Sequence, residues 1–250
     1  GGFISVYVNG SVNNNTIQYN LFKDMLLADQ SSAYAIQLGR TTGTDSGNDG
    51  LNIIQYNRFD NIDSKSRLIR VQGSNNVINH NTVVNSQGMI SLEDGQFNEV
   101  NYNIILPSGS DSNDGGIAAA PYGHIIIGNY IAGSKTTSSE RGAIYLNHNV
   151  NGTGNQLLTA TELEISSNTI INTKQPLHIG AKGCGTGPAF IVNFSNNLIA
   201  NGVSDIATYE GAMVTNKGAV RYDCALDLDS TFTGEAYYTT TIYNEENGTT

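Results

Sequence analysis

Apolar runs along this chain are short, and polar or turn-forming residues close each of them. Seven runs share one shape, in which a few apolar residues lead into an asparagine and a second apolar run follows. Thr16-Ile17-Gln18-Tyr19-Asn20-Leu21-Phe22 and Ile53-Ile54-Gln55-Tyr56-Asn57-Arg58-Phe59 are two of them, and the others centre on Asn81, Asn103, Asn129, Asn168 and Asn197. The intervals between these asparagines are 37, 24, 22, 26, 39 and 29 residues. A strand–corner–strand unit recurring at this spacing predicts a solenoid. Asparagine tolerates the left-handed backbone of a sharp corner, and its amide can hydrogen-bond its counterpart one coil away. The pattern therefore predicts an all-β chain, a right-handed parallel β-helix over residues 1–221. An irregular β-rich segment, 222–250, follows and is placed to cap the open end of the rod.

A second strand follows each corner by some ten residues. Alternation along these strands assigns Ile36, Leu38, Ile69, Val71, Ile90, Leu92, Ile117, Ala119, Ile144, Leu146, Leu177 and Ile179 to the core. The residues between them should face outward as a ladder: Gln37, Arg70 with Gln72, Ser91 with Glu93, Ala118 with Ala120, Tyr145 with Asn147, and His178. So varied a row is unlike the repeated Thr, Ser and Asn of an inert face, which makes it the candidate binding surface. Insertions at 41–50, 107–115 and 150–161 are rich in Gly, Ser, Asp or Thr and read as surface loops. They either wall a groove over the ladder or are simply tolerated.

Composition narrows the function classes. Only 14% of residues are charged and the net charge is −10, which argues against a nucleic-acid partner. No apolar stretch approaches the length of a membrane span. The chain has no Trp, the usual stacking residue for neutral sugars, but 13 Tyr could take that role. It opens on the strand-like Phe3-Ile4-Ser5-Val6-Tyr7-Val8 rather than a basic, apolar leader; a secreted chain whose leader is removed and a piece cut from within a longer rod would both look so. The expected location is secreted or cell-surface. Cys184 and Cys224 could pair or both be free.

Residues 13–201 resemble the alginate lyase and chondroitinase B family of polysaccharide lyases. The segment Ser86-Gln87-Gly88-Met89-Ile90-Ser91-Leu92-Glu93-Asp94-Gly95 is similar to the family's Ser-Gln-Gly-Thr-Leu-Thr-Leu-Arg-His-Gly. Gly115-Gly116-Ile117 resembles Gly-Gly-Ile-Arg, Gly128-Asn129-Tyr130 resembles part of Asn-Asn-Tyr-Phe, and Arg141-Gly142-Ala143-Ile144 resembles Arg-Gly-Ala-Leu. The resemblance implies a parallel β-helix and elimination across a uronic acid, in which a Lys removes the C5 proton, an Arg assists and calcium neutralises the carboxylate. Residue by residue, the Lys position falls on Gln72, the Arg on Glu93 and the His on Asp94. The two calcium-binding carboxylates fall on Lys65 and Arg67, and the Arg of Gly-Gly-Ile-Arg falls on Ala118.

The residues present offer a modified set. Arg67 and Arg70 can neutralise a carboxylate in place of calcium, because a guanidinium grips a carboxylate bidentately. Tyr145, His148 and His178 are candidates for proton transfer, with Glu93 as a further catalytic candidate. Gln72, Asp94, Arg141 and Asn147 join the two arginines as candidate substrate-binding residues, and no metal or other cofactor is expected. The expectation is a lyase-like protein whose partner is an acidic polysaccharide or oligosaccharide. Two other readings stay open, a catalytically silent carbohydrate-binding or structural β-helix and a glycoside hydrolase using Glu93 with another carboxylate. In a third arrangement, Glu93 simply pairs with Arg70 or Arg67 across neighbouring coils.

Overall fold

The computed structural model describes residues 2–7, 13–26, 34–39, 48–64, 66–109, 113–120, 122–136, 141–146, 161–179, 191–200, 220–222, 231–233 and 236–238. All its regular elements are strands. Three sheets of eight strands each run the length of the rod, and every pairing within them is parallel. Each coil contributes one strand to each sheet, which makes the chain a right-handed parallel β-helix. Three strands of the C-terminal region, Val220–Tyr222, Thr231–Thr233 and Ala236–Tyr238, add the last strand to the three sheets in turn. The remainder of 222–250 lies outside the described residues, as do Cys184 and Cys224.

The core is one continuous column of Ile, Leu, Val, Phe, Ala and Met drawn from all three sheets. Eleven of the twelve residues assigned to it by alternation are buried there, from Ile36 to Leu177. The twelfth, Ile179, lies in the strand Leu177–Ile179, and its side chain is outside the described residues.

The seven asparagines occupy equivalent corners and form a ladder. The backbone N–H of each donates to the side-chain oxygen of the next: Asn20 to Asn57 at 3.0 Å, Asn57 to Asn81 at 3.0 Å, Asn81 to Asn103 at 2.9 Å, and so on to Asn197. Each side-chain amide repeats the contact. One part of the expectation needs correcting. The left-handed residue is the one before the asparagine: Tyr19, Tyr56, His80, Tyr102, Gly128, Ser167 and Asn196 all have positive φ. The asparagine recurs because its amide satisfies corner backbone that no strand partner reaches, and the turn's conformational cost falls on its neighbour. The rings of Tyr19, Tyr56, His80 and Tyr102 form a row at centroid spacings of 5.0–5.3 Å, with Tyr19 and Tyr56 stacked and the contacts with His80 tilted.

A second ladder stands five residues earlier in four coils. Asn15, Asn52, Asn76 and Asn98 repeat the same backbone-to-side-chain bonds, and the row ends on His124, whose Nδ1 accepts from the N–H of Asn98 at 3.1 Å. His124 is fully buried, and its Nε2 bonds the carbonyl of Ala120 at 3.1 Å.

Candidate functional site

The outer ladder is in register as expected. Gln37, Arg70, Ser91, Ala118, Tyr145 and His178 pair one to the next across adjacent strands. Their exposure differs from the expectation. Gln37, Ser91, Ala118, Tyr145 and His178 are all buried, and Arg70 is half-buried. Part of the reason is a second small apolar cluster on the outside of the sheet, in which Met89 packs with Ala118 and Tyr145. The Tyr145 and His178 rings meet at 5.1 Å, tilted by 50°. His178 Nδ1 bonds the carbonyl of Arg141, and Arg141 Nη1 donates to the carbonyl of Asn113 at 2.7 Å.

An irregularity in the sheet brings the charged groups together. Residues three apart on a regular strand face opposite sides. In the strand Arg67–Val71, however, Arg67 pairs with Met89 and Ile69 with Ile90, so Leu68 is an extra residue. Leu68 and Ile69 both point into the core. This bulge turns Arg67 and Arg70 to the same side, where each meets one oxygen of Glu93 from the next coil. Arg67 Nε donates to Oε1 in a short contact, and Arg70 Nε donates to Oε2 at 2.7 Å. Ser91 Oγ bonds Oε1 at 3.2 Å. The side chains of Arg67, Arg70 and Glu93 keep 31%, 18% and 12% of their surface exposed, so the cluster is reachable from one side.

Behind it lies a buried amide row. Gln37 Nε2 donates to Gln72 Oε1 at 3.0 Å, and Gln72 Nε2 donates to Asp94 Oδ2 at 2.9 Å. Gln72 has no exposed surface, so its place in this arrangement is to hold Asp94, which sits in the bend after the strand Gly88–Leu92. The other oxygen of Asp94 is buried and has no hydrogen-bond partner among the described residues. Burial raises the Asp94 carboxyl above the usual carboxylate range. The Gln72 N–H and the charges of Arg70 and Arg67 oppose that shift. Burial also lowers Arg70, against the opposing influence of Asp94 and Tyr34, though a guanidinium stays charged.

The structure thus unites Arg67, Arg70, Gln72, Glu93 and Asp94 in one cluster and groups Tyr145, His178 and Arg141 further along the same sheet. Asn147, His148 and Lys65 lie outside the described residues. Glu93 and Asp94 are committed to different partners. Arg67, which the resemblance sets at one calcium-ligand position of the family, is a cation paired with Glu93. Among the described residues no three His, Cys, Asp or Glu side chains come together as metal ligands. No helix among them is long and apolar enough to cross a membrane. Sequence reasoning missed the roles of Gln37 and Met89. Met89 falls at an outward position of its strand by simple alternation and could have been found that way.

The sequence profile of the chondroitinase B family matches residues 2–187. No curated protein sequence matches the chain significantly. Among solved structures, an alginate lyase of polysaccharide lyase family 6 is 21% identical with a TM-score of 0.74, covering 98% of this chain and 34% of that one. An alginate lyase of the same family in complex with a trisaccharide is 22% identical, with a TM-score of 0.71 over 95% of this chain and 53% of that one. A mannuronic-acid-specific family 6 lyase from human gut microbiota is 20% identical, with a TM-score of 0.70 over 80% of this chain and 47% of that one. The chain therefore spans between a third and just over half of the length of these structures, and the likeness is one of fold.

Proposed function

Because the chain belongs to the chondroitinase B family, we propose that it is a polysaccharide lyase acting by β-elimination on an acidic, uronate-containing polysaccharide, with a catalytic set of its own. The observation that carries this reading is the arginine pair that the Leu68 bulge turns to one side of the sheet. Elimination removes the C5 proton of a uronate. Its electron pair forms the C4–C5 double bond, the C4–O bond breaks, and the leaving oxygen takes up a proton. The first step requires the neighbouring carboxylate to be neutralised. Two guanidiniums supply that through charge-assisted hydrogen bonds, without calcium. Tyr145, His148 and His178 are the candidates for taking and returning the proton, although Tyr145 and His178 are buried as they stand. Asp94, Arg141 and Asn147 remain proposed sugar-binding residues; Asp94 and Arg141 are buried and bonded to neighbours. A substrate of this kind is extracellular, which accords with a secreted or cell-surface protein.

A second reading has its own observation. Gln72 and Glu93 stand where the family has its base and its arginine, and both are engaged with neighbours. A β-helix so altered could bind an acidic polysaccharide without cleaving it. The deciding experiment incubates the protein with alginate, pectate and glycosaminoglycans and follows the ultraviolet absorbance of unsaturated sugar ends. Growth of that absorbance establishes the lyase. New reducing ends without it mean hydrolysis, and saturable binding with neither change establishes the silent module.

A further inference from the structure

Glu93 gives one carboxylate oxygen to each of two guanidiniums, which is the grip that a bound ligand carboxylate would receive. The arrangement is built into the fold, because the arginines share a side of their strand only through the extra residue Leu68. It is also accessible, since 31% of the Arg67 side chain is exposed. We infer that Arg67 and Arg70 form a carboxylate-binding site that Glu93 fills from within, and that a ligand carboxylate enters by displacing Glu93. That the ligand is a uronate rests on the proposed function; the existence of the site does not.

The exchange is feasible on physical grounds. Glu93 stands one residue beyond the strand Gly88–Leu92, so its side chain can swing toward solvent without disturbing the core. The incoming carboxylate restores the bonds that Glu93 gives up, so the exchange itself yields little net gain. Affinity must then come from the rest of the ligand. Small carboxylates should be excluded, while an oligosaccharide that makes further contacts along the sheet should be admitted.

The test uses the whole chain, its Glu93→Ala and Glu93→Gln variants, acetate as a small probe and a uronate tetrasaccharide as a large one. Acetate should raise the melting temperature of Glu93→Ala relative to chloride at equal ionic strength and leave the unmodified protein unchanged. The tetrasaccharide should bind Glu93→Ala about tenfold tighter than the unmodified protein, and adding Arg70→Ala should abolish that gain. If acetate gives Glu93→Ala no stabilisation beyond chloride, the inference is overturned whatever the tetrasaccharide does. If acetate stabilises the variant but the tetrasaccharide binds neither protein, the carboxylate site stands and the proposed function falls. Should Glu93→Ala not fold, Glu93→Gln carries the test, because it keeps the bulk and an acceptor oxygen. Acetate is then the deciding probe again, and no stabilisation of Glu93→Gln beyond chloride overturns the inference.

Discussion

His124 ends the second side-chain ladder and should make the rod sensitive to mild acid. Its Nδ1 accepts the Asn98 N–H, so the neutral ring must carry its proton on Nε2, which donates to the Ala120 carbonyl. Burial pushes its pKa from 6.5 down to about 4, against an opposing pull from the backbone bond to Ala120. Protonating Nδ1 would also forfeit the Asn98 bond, because a protonated nitrogen cannot accept. The sign follows from linkage. Between pH 6.5 and about 4 the unfolded chain binds a proton here and the folded chain does not. Stability from this site is therefore complete above pH 6.5, declines as the pH falls, and is lost by about pH 4. The gap corresponds to about 3 kcal/mol. His124→Asn should continue the asparagine ladder with a side chain that does not titrate. Denaturant unfolding followed by circular dichroism from pH 7 to pH 4 should show the unmodified protein losing about 3 kcal/mol more than the variant. Taking the difference cancels carboxylates common to both proteins. Parallel stability curves would refute the buried, neutral assignment.

Further outcomes are expected for the asparagine ladder, the arginine pair, Tyr145 and calcium. Asn103→Ala, in mid-ladder and fully buried, should cost about 2–4 kcal/mol by leaving several buried backbone groups unpaired. Asn20→Ala, on the exposed first rung, should cost less than about 1 kcal/mol, and equal losses in denaturant melts would show that the ladder is not what stabilises the corner. Arg70→Ala should weaken uronate binding or turnover roughly ten- to a hundredfold by titration calorimetry or product absorbance, and unchanged values place the site elsewhere on the rod. Tyr145→Phe keeps the packing against Met89 and Ala118 and removes only the hydroxyl; a collapse of turnover with binding intact identifies that hydroxyl as a proton carrier. Turnover should survive a calcium chelator, whereas its loss and recovery on adding calcium alone would contradict the replacement of calcium by arginine.

The repeat was legible in the chain because its causes are local. A corner needs a residue whose amide can reach the next coil, so asparagine recurs from Asn20 to Asn197. A strand with one face in the core alternates, so Ile36, Ile69, Ile90, Ile117 and Ile144 could be assigned inward from their spacing alone. The second ladder went unread although its signal was there, since Asn15, Asn52, Asn76 and Asn98 each precede a corner asparagine by five residues. The family motifs placed Gln72, Glu93 and Asp94 in neighbouring coils, and those three residues do meet one another or the same arginines. Pairings between distant segments decided the rest. Arg67 and Arg70 face the same way only because Leu68 is surplus to the register with the next strand, and that register is a property of two coils together. The outward row from Gln37 to His178 is buried although alternation places it outside, because alternation reports direction and not what packs over it. His124 looks like an ordinary histidine in the sequence. It becomes a titrating weak point because neighbouring coils enclose its ring and leave it one donor and one acceptor, an environment no single strand can supply.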